Sequence, residues 1–109
     1  LAHGVAAAGA VRTRNDPDFL AALRADPPLH ACGCVLAAAW LDESYPRVTV
    51  DARRWRRLGG AMRERLSARA LKIAETTYLT ESAATDQYEQ IFIVDRHNKP
   101  LSSYEPTTR

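Results

Sequence analysis

A chain of 109 residues, 46% apolar and 26% charged, has the size and composition of one folded domain, which excludes a disordered or low-complexity protein. Its longest apolar run, residues 29 to 41, falls short of the roughly 20 residues that a bilayer-spanning helix needs, which excludes a transmembrane helix. The formal net charge is only +2, so any basic recognition surface has to be local.

Residues 1 to 10 are small and apolar but lack a basic leader, so they do not complete a signal peptide, and a trimmed remnant of one is the alternative to a frayed end. With the residues that follow they read as a flexible arm, 1–14. Asn15-Asp16-Pro17-Asp18 predicts a helix start, with Asp16 as side-chain cap, Pro17 at the first helical position and Asp18 facing the dipole. That helix runs from Pro17 to about Ala25 with Phe19, Leu20 and Leu23 on one face, and Asp26-Pro27-Pro28 stops it. Residues 29 to 41 read as a second helix, with Cys32, Val35, Leu36, Ala39 and Trp40 inward, on their length and alanine content. Gly33 and the flanking turns leave a buried strand as the alternative. Asp42 to Pro46 is a turn, and Arg47-Val48-Thr49-Val50 has the alternation of a short strand.

Asp51 then caps a basic helix in which Trp55, Leu58, Met62 and Leu66 form one apolar stripe. Gly59-Gly60 interrupts the pattern at about 1 kcal/mol per glycine, so a kink or break is expected to leave the basic patch intact. From Ala70 the period changes to two, with Leu71, Ile73 and Leu79 on one side, which predicts a strand. Ser82 to Asp86 connects it to a strand over Tyr88 to Asp95. Arg96 to Pro100 turns the chain, Leu101 to Glu105 adds a third strand, and residues 106–109 fray. The expected fold class is therefore α+β: one domain over 15–105, with N-terminal helices packed on a C-terminal antiparallel β-meander.

The charge is unevenly placed. Residues 51 to 72 carry seven Arg and one Lys against Asp51 and Glu64, a local +6, while the segments before and after sum to −1 and −3. Arg53, Arg54, Arg56, Arg57, Arg63 and Arg65 are the candidate anion-binding residues. Cations at a helix N-terminus oppose the macrodipole, and the free N–H groups there make a seat for phosphate or carboxylate. Trp55 between the arginine pairs is a candidate stacking or interface residue, although its place on the apolar stripe favours packing. Glu75, Glu81, Asp86, Glu89, Asp95 and Glu105 are the acids that would neutralise the arginines in a merely solvated or internally paired face.

His30-Ala31-Cys32-Gly33-Cys34 gathers three soft ligands, yet a closed zinc site wants four, so His30, Cys32 and Cys34 are weak metal candidates and burial of the thiols is the better reading. Two cysteines this close make no disulfide framework, and the expected setting is reducing and cytoplasmic. Asp95-Arg96-His97 pairs an acid with an imidazole, but in a hairpin tip with no nucleophile assigned. No phosphate loop, H-E-x-x-H or G-x-S-x-G pattern occurs, and no cofactor is called for. The expected function is that of a non-enzymatic regulatory or adaptor protein whose arginine-rich helix contacts a polyanion, with nucleic acid as the first choice. The alternatives are a protein-interaction module, as a homodimer or on an acidic partner, and a small acidic-ligand-binding domain or enzyme with an arginine clamp. No membrane partner is expected.

Overall fold

Asp16 starts the first helix in the way its sequence predicts. Its backbone is extended and its Oδ1 accepts from the N–H groups of Asp18 and Phe19, both at 3.0 Å, while Pro17 occupies the first helical position. In this computed structural model residues 13–41, 45–82 and 90–104 are described. In chain order they form β1 (Thr13–Asn15), α1 (Pro17–Ala25), α2 (Pro27–Cys32), β2 (Val35–Leu41), β3 (Tyr45–Val50), α3 (Ala52–Arg57), α4 (Gly60–Ser82), β4 (Ile91–Val94) and β5 (Pro100–Tyr104). β1 therefore begins within the expected arm, and residues 1–12 of that arm lie outside the described residues, as do 42–44 of the expected turn, the connection 83–89 and the tail 105–109.

The strands form one sheet of five in the order β1-β2-β3-β4-β5. All neighbours are antiparallel except β3 and β4, which pair parallel through Arg47↔Phe92, Val48↔Ile93 and Thr49↔Val94. A parallel pair cannot be joined by a hairpin, and here α3 and α4 occupy the crossover between them. The fold class is α+β, but the expected antiparallel meander is replaced by a mixed sheet. Alternate residues of the central strands, Ala38, Trp40, Val48, Val50, Ile91 and Ile93, share one core with Phe19, Leu23, Leu29, Trp55, Leu66, Ala70, Leu71 and Ala74 from the helices. The helices thus cover one face of the sheet.

Two element assignments are corrected. Residues 29 to 41 do not form a helix throughout: α2 ends at Gly33, which takes the left-handed φ of 63° and donates its N–H to His30 O at 3.1 Å, and β2 follows. Ala37, Ala38 and Ala39 have high intrinsic helix propensity, yet each pairs with β3, opposite Thr49, Val48 and Arg47, so ladder hydrogen bonds override propensity. Leu36, expected inward, is 36% exposed at the register shift between Val35 and Ala37. The predicted strand from Ala70 is instead the second half of the 23-residue α4. Leu66, Ala70 and Ala74 recur every four residues and are buried. The β-branched Thr76 and Thr77 are accommodated because their hydroxyls donate back to Lys72 O at 3.0 Å and Ile73 O at 2.9 Å. The strands expected near Tyr88 to Asp95 and Leu101 to Glu105 are present as β4 and β5.

Asp26 links the helices. It follows α1, its Oδ2 accepts from Leu29 N at 3.4 Å to cap α2, and both oxygens bind the guanidinium of Arg69 on α4, with Nε to Oδ2 at 2.8 Å. The Arg69 hydrogen bonds hold its carboxyl below the usual range. A depressed carboxyl contributes stability that is present above its unfolded value of about 3.9 and lost as pH falls through the lower folded value. Asp26→Asn keeps a capping oxygen but removes the charge. It is expected to cost about 1 kcal/mol at pH 7, a deficit that disappears towards pH 2, as read from urea unfolding across that range.

Candidate anion-binding surface

The basic segment breaks into two helices, and the break decides what its arginines can do. Asp51 Oδ1 accepts from Arg54 N at 3.1 Å and starts α3, which lasts six residues before Leu58 turns extended, with ψ at 145°. Gly60 begins α4. Arg56 and Arg57 consequently lie in the last turn of α3, where cations complement the dipole. For Arg56 and Arg57 the expectation that the charges oppose a helix N-terminus is therefore corrected, whereas Arg53 and Arg54 occupy the first turn after the Asp51 cap. The phosphate seat at that terminus is corrected too, because the Asp51 carboxylate already fills it, held below its usual range chiefly by the Arg54 N–H.

The six candidate arginines fall into two groups. Arg54 and Arg63 are used by the fold. Arg54 Nη1 donates to Gly33 O at 3.3 Å, tying α3 to the end of α2, and a Cβ at Gly33 would stand only 2.7 Å from that nitrogen. Arg63, half-buried, donates through Nη1 to Leu58 O at 2.6 Å and to Arg56 O at 3.4 Å, satisfying carbonyls freed at the helix break. Arg53, Arg56, Arg57 and Arg65 are exposed, and none of them pairs with a carboxylate among the described residues. The ion pair found there is Arg69 with Asp26, at 2.5 Å, a partnership that the sequence reading missed. Of the acids expected to neutralise the arginines, Glu75 makes no ion pair with a described arginine. Asp95 is occupied by its own turn, accepting from His97 N at 2.8 Å and Lys99 N at 2.9 Å. The side chains of Glu81, Asp86, Glu89 and Glu105 lie outside the described part.

Trp55 does not belong to the surface. It is 3% exposed in the core, so its candidacy as a stacking or interface residue is withdrawn. The stripe predicted with it survives in part: Leu66 is buried and Leu58 half-buried, but the break turns Met62 out to 40% exposure. Trp40 is likewise a core residue, stacked on Phe19 with centroids 5.1 Å apart, whereas Tyr45 is exposed and leans on Phe92 across the β3–β4 pair.

The remaining constellations are also placed. His30 is exposed at the end of α2, Cys32 is half-buried with its thiol donating to Leu29 O at 3.1 Å, and Cys34 is fully buried. Among the described residues no three His, Cys, Asp or Glu side chains are grouped to hold a metal ion. Burial, reinforced by the Cys32 thiol beside it, pushes Cys34 up to about 12, so it is a neutral thiol at physiological pH. In the β4–β5 hairpin Asp95 Oδ1 holds the turn by its backbone, and Asn98 takes the positive φ of 65° that the tight connection requires.

No family model matches the chain, and no curated protein or solved structure is significantly similar to it. Function has therefore to be argued from these side chains. No helix among the described residues is long and apolar enough to cross a membrane.

Proposed function

We propose that this is a non-enzymatic regulatory or adaptor protein that holds the phosphate backbone of a nucleic acid on the outer surface of α3 and the first turns of α4. The observation that supports this reading is the set of exposed guanidinium groups, Arg53, Arg56, Arg57 and Arg65, without a carboxylate partner among the described residues. A solvated face selected only for folding would gain from nearby acids, and Glu64 is the one acid within the segment after the Asp51 cap. Arg54 and Arg63 position the surface more than they contact the ligand, since each already donates to a backbone carbonyl. Phosphate contacts of this kind carry little sequence preference. The unpaired thiols of Cys32 and Cys34 support a reducing, cytoplasmic setting for this activity.

Titration of duplex and single-stranded oligonucleotides across a salt series tests the proposal. Four phosphate contacts give a slope of log K against log salt of about −3 to −4. Replacing Arg56 and Arg57 together by Ala is expected to reduce that slope by about 2 and to weaken binding to all sequences alike. No binding at low salt sinks the proposal. A surface that instead serves an acidic protein or a second copy shows the arginine dependence in sedimentation of the protein, with none in the oligonucleotide titration.

A further inference from the structure

Beside the arginine surface lies an open cleft of about 470 Å³, bounded by Pro28, Ala31 and Cys32 from α2 and by Leu58, Met62, Arg65, Leu66 and Arg69 from the α3–α4 break and α4. Its size is that of a small-molecule site, and its walls are apolar apart from a thiol and two guanidinium-bearing side chains. No acid lines it. Arg69 is already committed to Asp26, whereas Arg65 has no carboxylate partner among the described residues. One uncompensated cation at an apolar cleft selects a ligand with one negative charge and an apolar body. A nucleic-acid backbone, charged at every nucleotide, would leave Leu58 and Met62 unused.

We infer that this cleft binds a small amphipathic carboxylate, with Arg65 holding the carboxylate and the apolar body lying against Met62 and Leu58. Met62 suits the role, because an unbranched, polarizable side chain 40% exposed at the cleft adapts to an apolar guest. Cys32, half-buried on the wall, supplies a reporter: a bound ligand covers its thiol, while the buried Cys34 stays silent.

The test measures the rate of Cys32 alkylation by iodoacetamide in the full chain, with decanoate or decan-1-ol as the probe, both kept below the concentration at which decanoate forms micelles. Decanoate is expected to protect Cys32 at a concentration about tenfold lower than decan-1-ol, because only the carboxylate gains the charge-assisted bond. Arg65→Gln should bring decanoate to the level of decan-1-ol. Ala31→Trp, which fills the cleft from its exposed rim, should abolish protection by both and leave oligonucleotide binding unchanged. That variant separates this inference from the polyanion reading, which shares Arg65 but does not use Ala31. Circular dichroism verifies that both variants are folded, and calorimetric titration of decanoate repeats the comparison without the thiol. Absence of decanoate binding, equal protection by acid and alcohol in the unsubstituted protein, or protection that survives Ala31→Trp each overturns the inference.

Discussion

Trp55→Ala is expected to cost about 3–5 kcal/mol of folding stability and, where the protein remains folded, to weaken polyanion binding indirectly. Trp55 is the buried residue of α3, 3% exposed, and the other residues of that short helix are Ala52 and four arginines. Six residues are too few for an isolated helix to persist in water, so α3 depends on this apolar anchor, on the Asp51 cap and on the Arg54 bond to Gly33 O. Removing the indole both opens a cavity in the shared core and frees the segment that displays Arg53, Arg56 and Arg57. Urea unfolding reads the first effect and oligonucleotide titration the second. Trp55→Phe separates packing from stacking: it should retain oligonucleotide binding, since a side chain in the core touches no base. Loss of binding in a Trp55→Phe protein of near-normal stability would show that the indole contacts the ligand after all.

The same residue shows how much of the surface was legible in advance. Asp51 as a cap, the break at Gly59-Gly60 and the burial of Trp55 are all local consequences of residue type and spacing, and all three are present. The direction of the dipole on the arginines was not legible, because it depends on where α3 stops. Arg56 and Arg57 would stand in the early turns of a long helix but stand at the end of one that terminates at Leu58. Nor was the sorting of Arg54 and Arg63 from the other arginines legible. Arg54 finds the Gly33 carbonyl, 21 positions away in sequence, only after α2 and α3 are brought together.

The two elements that differ from their sequence pattern, residues 29 to 41 and the segment from Ala70, do so for one connected reason. Thr76, Thr77 and Ile73 carry strand propensity, which outweighed the four-residue recurrence of Leu66, Ala70 and Ala74. A strand from Ala70 would have allowed a simple hairpin to the strand at Ile91. A helix there returns the chain to the opposite end of the sheet, so β4 joins β3 in parallel. The missing strand was supplied by residues 35 to 41, whose alanines give no β signal of their own and are held as a strand by pairing with β3 on one side and with Thr13–Asn15 on the other.

That second edge leads to Asp16, where one residue serves three elements. Its N–H extends the β1–β2 ladder by donating to Ala38 O at 3.1 Å, its Oδ1 caps α1, and its Oδ2 accepts the indole N–H of Trp40 at 2.5 Å. Trp40 is 2% exposed and stacks on Phe19, the first buried residue of α1, so the cap and the core are fixed together. Asp16→Ala is expected to cost about 2–4 kcal/mol, combining a lost cap of about 1 kcal/mol with the loss of a charged acceptor for a buried donor. Asp16→Asn divides the two contributions. Its amide oxygen can still cap Asp18 and Phe19, but its NH₂ group then meets the indole N–H as donor against donor, and only the Trp40 component should be lost. Urea unfolding should therefore order the proteins as unsubstituted, Asn, Ala, with Trp40 fluorescence changing in both variants. An Asn variant as stable as the unsubstituted protein would show that the cap alone matters and that the indole is held in the core by packing.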